Sequence, residues 1–273
     1  MPRGNGVLVP ALSDMAEKQV DPRWSDLRTR TASALVLAPL AVVCAWRGGV
    51  AWELLLLVAM AGLGWEWATL AKVARPYVFA GLLAVVWAAV IVGGPVYGLV
   101  AVGVLWLGAS LWLGRFAGYG VPYAGIGGIA LLWLRQLPSG LEDTIFLVLV
   151  VWGTDIGAYM AGRLIGGRKL APRISPGKTW SGSIGGLLAA AVIGLVLAGG
   201  LSVAAFAAGA LLSLCAQAGD LLESAIKRRL GVKDSGRTIP GHGGLFDRLD
   251  GFLAAAPVAA LLALCVQGGN LWQ

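Results

Sequence analysis

Charge is scarce in this sequence. Only 13% of its 273 residues are Asp, Glu, Lys or Arg, against about 25% in an ordinary soluble domain. Histidine occurs once and cysteine three times. Cys44, Cys215 and Cys265 lie far apart in apolar runs with no C-x-x-C spacing. That argues against a disulfide framework, and the single histidine argues against a zinc site. Residues 1–30 are polar, with no apolar stretch leading to a small-residue cleavage site, so no removable signal peptide is expected. The first spanning helix is then expected to act as the targeting signal. Internal repeats are lacking too, as are low-complexity tracts beyond Gly/Ala-rich stretches.

What fills the chain is apolar. Hydrophobic residues make up 58% of it, more than one soluble core of this length can hide but well suited to a bilayer. Apolar stretches fall near 32–47, 50–70, 77–93, 96–113, 121–134, 144–164, 182–200, 202–219 and 251–267. In lipid, backbone polar groups must be satisfied within the segment, so helices are expected. The chain reads as an all-α polytopic membrane protein of about nine transmembrane helices. A polar N-terminal segment, 1–30, precedes a single transmembrane domain, 31–273. The 12 tryptophans read as interfacial belt residues, and Glu53 and Glu66, flanking the second stretch, as interfacial too.

The pI of 9.7 invites a nucleic-acid reading, which the placement of the charges removes. With the N-terminus in the cytoplasm and nine spans threaded, all 21 Lys and Arg except Arg47 and Arg135 fall on the cytoplasmic side. This is the positive-inside bias. Two polar loops, roughly 163–181 and 220–250, then face the cytoplasm.

The second loop mixes acidic groups, basic groups and the only histidine, His242. Carboxylates hold hard cations through oxygen, and Lys and Arg bind phosphate oxygens, so the mixture suits a metal–phosphate site. If the eighth apolar helix runs on past the membrane surface, Asp220, Ser224 and Lys227 share a face, with Glu223 beside Lys227. Gly231 ends that helix. Asp247 and Asp250, at i and i+3 of the next helix, can point at one ion. They can equally complement the helix dipole, but the company of Asp220 and the basic cluster favours the ion. Gly241, Gly243 and Gly244 allow a ligand close to the backbone. Asp155, inside an apolar run, is a functional candidate by default, with a buried pair to Arg163 or another basic group as its plain alternative. Residues 172–179 end like a phosphate-binding P-loop, but Pro172 stands where its first glycine belongs and no strand is expected before it.

Residues 224–250, S-x-I-K-R-x4-K-D-x-G-x2-I-P-x-H-G-G-L-x-D-R-L-D, resemble the signature of phosphatidate cytidylyltransferases without departure. Residues 155–182 also resemble that family through Asp155, Ala158-Tyr159, Gly162-Arg163, Ile174-Ser175-Pro176 and Lys178-Thr179-Trp180. They depart from it at Thr154, Gly177 and Ser181, where the family commonly has Asn, Lys and Glu. The resemblance implies that CTP and phosphatidate give CDP-diacylglycerol and pyrophosphate for phospholipid synthesis. It also implies Mg²⁺, alone or with a second cation, held by Asp220, Asp247 and Asp250, and a homodimer. It places the protein in a bacterial-type cytoplasmic (inner) membrane.

The candidate catalytic residues are Asp220, Ser224, Lys227, Asp247 and Asp250. Candidates for substrate or phosphate contact are Asp155, Lys178, Arg228, Lys233, His242 and Arg248, with His242 orienting rather than acting as a base. Two other readings compete. A transporter would suit many Gly-rich helices, but the polar residues gather in two loops on one side with no matching half-repeat. A CDP-alcohol phosphatidyltransferase would need an aspartate spacing that Asp247 and Asp250 do not have.

Overall fold

The computed structural model describes residues 22–236, 238, 239, 241, 243–266 and 269–272, with side chains from Ser33 onward except Ala34. The helices are α1 (Pro22–Arg47), α2 (Gly49–Leu70), α3 (Tyr77–Gly93), α4 (Pro95–Trp112), the single turn α5 (Arg115–Gly118) and α6 (Gly120–Gln136). They continue with α7 (Gly140–Leu164), α8 (Trp180–Leu197), α9 (Val203–Arg229) and α10 (Phe246–Cys265). Each of the nine apolar stretches falls on one of these helices. Among the described residues, seven spans are long and apolar enough to cross a membrane, and Leu35–Arg47 and Tyr77–Gly93 are shorter apolar helices. The chain is an all-α polytopic membrane protein. Of the polar N-terminal segment, residues 1–21 lie outside the described residues.

The short fifth stretch forms the centre of the bundle, where most residues of α6 are buried. Its glycines explain why. A Cβ on Gly125 would lie 2.7 Å from Val102, and one on Gly127 would lie 2.9 Å from the Leu253 Cα. Neighbouring helices therefore pack against its bare backbone, which is how small residues drive association in lipid. The same device closes α7 on α8. A Cβ on Gly157 would lie 2.8 Å from the Gly185 carbonyl oxygen and 2.7 Å from the Ala189 Cβ. Beside that seam runs a polar ladder from α7 to α9 to α8. Thr154 Oγ1 donates to Ser213 Oγ at 2.9 Å, Gln217 Nε2 donates to Ser213 Oγ, and Ser183 Oγ donates to Gln217 Oε1 at 2.6 Å.

The first polar loop is not wholly irregular. β1 (Lys169–Ala171) and β2 (Ser175–Thr179) pair antiparallel, with Lys169 opposite Thr179. Thr179 then caps α8, accepting from the Gly182 N–H at 3.1 Å. Residues 175–179 of the P-loop-like stretch thus form a hairpin strand, and β1 precedes the stretch where the sequence predicts no strand, being too short to show as a pattern. At one end of the bundle gather this hairpin, the C-terminal ends of α2 and α9, and the N-terminal end of α10. At the other end the Arg135 guanidinium donates to the Ala45 and Trp46 carbonyls and so caps α1. Arg47 ends α1 beside it.

We predict that Gly157→Ala destabilises the protein by about 1–3 kcal/mol through overpacking, lowering its unfolding temperature in detergent. Gly81→Ala on α3, with nothing within 4 Å of the added methyl, should be neutral by comparison. Equal unfolding temperatures would show that α7 and α8 are not in backbone contact.

Candidate active site

α9 runs unbroken to Arg229, and Gly231 ends it with a positive φ of 71°. Its last turns therefore carry Asp220, Glu223, Ser224 and Lys227 on one face, at i, i+3, i+4 and i+7. α10 starts at Phe246 and brings Asp247 and Asp250 against that face. Between the two helices lies a cavity of about 360 Å³. Asp155, Asp220, Glu223, Lys227, Asp247, Arg248 and Asp250 line it, with Trp152 and Phe252 as apolar walls.

Two charge groupings occupy this cavity. Asp220, Glu223 and Asp250 each offer an oxygen within 4.8 Å of the others. Oε1 of Glu223 is buried without a hydrogen-bond partner. A buried carboxylate oxygen left unpaired is costly, and three oxygens so close suit one hard cation. Beside them stands a bridged ion pair. Lys227 Nζ lies 2.7 Å from Glu223 Oε2 and 2.6 Å from Asp247 Oδ1. Asp247 also accepts from the N–H groups of Ser235, at 3.1 Å, and Gly244, at 3.0 Å. It therefore stands outside the close trio, and Glu223 stands inside it.

The other expected residues divide. Lys178 reaches in from β2 and pairs with Asp220 at 2.5 Å. Ser224 Oγ donates to Asp220 Oδ1 at 3.4 Å, and Arg248 lines the cavity. Asp155 lines it too and makes no ion pair with Arg163 among the described residues. Arg228 turns away and donates to the Ile174 carbonyl, tying α9 to the hairpin. Lys233 is exposed, outside the cavity lining. His242 lies outside the described residues.

Two residues escaped sequence reasoning. Glu223 reads from the sequence as a neighbour of Lys227, yet its i+3 spacing from Asp220 also sets it on the same face. Glu66, expected at the interface, is instead 2% exposed and accepts hydrogen bonds from the signature loop. Oε1 takes the Leu245 N–H at 2.7 Å, and Oε2 takes the Phe246 N–H at 2.8 Å and the Ser235 hydroxyl at 3.2 Å. No local pattern near Glu66 signals this, because its partners lie far along the chain.

Fold and site together define a polytopic membrane protein with a carboxylate- and lysine-lined cavity at one end of its bundle. The chain belongs to the cytidylyltransferase family, which it matches over residues 28–266. It is 42% identical over 256 residues to the phosphatidate cytidylyltransferase of Brucella suis biovar 1, covering 87% of this chain and 93% of that protein. The Brucella melitensis biotype 1 protein of the same name matches equally well. The phosphatidate cytidylyltransferase of Staphylococcus saprophyticus is 44% identical over 149 residues, 53% of this chain and 56% of that one.

The bridge at Lys227 generates a stability prediction. Lys227→Ala should cost about 3–5 kcal/mol, because two buried carboxylates lose their shared cation. The loss should shrink when Asp247→Asn is already present, measured as a double-mutant cycle of unfolding in detergent. Equal losses in both backgrounds would mean that the bridge is not formed.

Proposed function

We propose that this protein transfers a cytidylyl group from CTP to phosphatidate, giving CDP-diacylglycerol and pyrophosphate. The observation that carries the reading is the convergence of Asp220, Glu223 and Asp250 with Lys227 in one cavity at a helix-bundle end, with Lys178 paired to Asp220 beside it. That combination suits a reaction in which polyphosphate charge must be neutralised and aligned. Membership of the family and the names of its relatives supply the substrate class.

The chemistry asks little of a general base, because a phosphate monoester is already an anionic nucleophile near neutral pH. An oxygen of the lipid phosphate bonds to the α-phosphorus of CTP, the α–β phosphoanhydride bond breaks, and pyrophosphate leaves. The protein's share is alignment and charge neutralisation. Lys178, Lys227 and Arg248 are the cationic groups placed to meet phosphate oxygens. Asp155 lies at the cavity wall and restricts where an anionic substrate can settle. Trp152 and Phe252 offer apolar surface to the lipid.

The donor set fits a divalent cation, and the unpartnered oxygen of Glu223 is the observation that favours one. Asp220, Glu223 and Asp250 would hold it. Asp247 joins them only if Lys227 releases its carboxylate. Bound Mg²⁺ would supply electrostatic stabilisation of the charge on the transferring phosphates. Arg228 and Lys233 belong to the cytoplasm-facing basic collar rather than to the site. The reading includes an N-terminus and cavity facing the cytoplasm of a bacterial inner membrane, where CTP is available, and a homodimer.

Purified protein in detergent should form CDP-diacylglycerol and pyrophosphate from CTP and phosphatidate only when a divalent cation is supplied. Asp250→Asn should lower turnover by roughly 100-fold or more, the scale of losing one electrostatic stabiliser, while keeping its helical content. Full activity in that variant would move the cation site elsewhere. No product from folded wild-type protein with any divalent metal would overturn the enzyme reading and favour a transporter.

A further inference from the structure

Glu66 belongs to α2, separated by 179 residues from Leu245. It nevertheless does for α10 what a capping residue normally does. Leu245 stands at the N-cap position and has no side-chain oxygen with which to accept the first helical N–H groups. Glu66 supplies those oxygens from another helix, receiving the N–H groups of Leu245 and Phe246. Its negative charge also lies at the positive end of the α10 dipole.

The loop before α10 is shaped around this carboxylate. A Cβ on Gly236 would come within 3.0 Å of Glu66 Oε1, and one on Gly244 within 2.7 Å of Oε2. Only bare backbone passes there. Ser235 is gripped twice, its hydroxyl by Glu66 and its N–H by Asp247. Phe246 is fixed from the other side, stacked on Tyr123 at 5.1 Å and tilted against Trp67 at 5.7 Å. Trp67 is the next residue after Glu66, so α2 holds the start of α10 through both a carboxylate and a ring. Asp247 and Asp250 follow within one turn.

We propose that Glu66 is a positioning residue for the cytidylyl transfer. It sets the register of the loop and the first turn of α10, so that Asp247 meets Lys227 and Asp250 meets Asp220 and Glu223. It touches neither substrate nor cation. This role rests on the function proposed above, whereas the clasp itself does not.

The test uses Glu66→Gln in the full chain in detergent, with hydrogen exchange and steady-state kinetics measured on the same preparation. Glutamine keeps the size but offers one accepting oxygen, so one side of the clasp loses its acceptor. Exchange at Leu245 and Phe246 should quicken about tenfold or more, with no change across α7 and α8. The kcat for CDP-diacylglycerol formation should fall by about tenfold or more while the KM for CTP stays within about twofold, because alignment rather than binding is lost. Faster exchange with wild-type kcat would make the clasp merely structural and overturn the proposal. Unchanged exchange would overturn the clasp. A wild type without turnover refutes the proposed function and the positioning role with it, and exchange then judges the clasp alone. If Glu66→Gln does not fold, Glu66→Asp keeps both oxygens but draws them back by one methylene from the Leu245 and Phe246 N–H groups, and it carries the same two readouts and criteria.

Discussion

The Lys227 ammonium group between Glu223 and Asp247 holds this end of the molecule together. It joins α9 to α10 through a shared cation. Without it, two carboxylates would face each other in a poorly hydrated cleft, where like charges repel strongly. With it, Asp247 is neutralised and free to collect the N–H groups of Ser235 and Gly244. The loop thereby folds back onto its own helix. The trio of Asp220, Glu223 and Asp250 is a by-product of the same arrangement, since Glu223 gives one oxygen to Lys227 and leaves the other toward the cavity.

Other features serve to bring α9 and α10 to that meeting. The glycines of α6 let α10 sit close to the bundle centre, and those of α7 and α8 seat the hairpin that delivers Lys178 to Asp220. Arg228 anchors that hairpin to the end of α9. The basic residues of the signature therefore divide the labour. Lys227 and Arg248 face the cavity, Arg228 braces the scaffold, and Lys233 faces outward.

Local spacing made much of this legible in the sequence. Apolar stretches marked the helices because a bilayer leaves little other choice, and Gly231 marked the end of α9 because only its conformation permits that turn. Asp220, Lys227, Asp247 and Asp250 could be placed together by helical periodicity and the signature. What could not be read was set at long range. The interior position of α6 depends on which neighbours its glycines meet, and the β1–β2 hairpin is too short to carry a strand pattern. Arg228 and Lys233 looked alike as charges, and only tertiary packing separates them. Glu66 looked interfacial because hydropathy sees a charge near a helix end, not the backbone donors that come to cover it.

The separation of Glu66 from Leu245 by 179 residues has a bearing on biosynthesis. At ordinary translation speeds, roughly 10–30 s pass between making the carboxylate and making its donors. For that interval α2 carries an acid whose final partners do not yet exist, so it must remain near water or borrow others. The bundle's first half can insert early, but it cannot settle until its last helix arrives. Final assembly of the chain is thus a late event, closed from the C-terminal side. A nascent protein halted before α10 would hold its membrane helices without the contact that locks them.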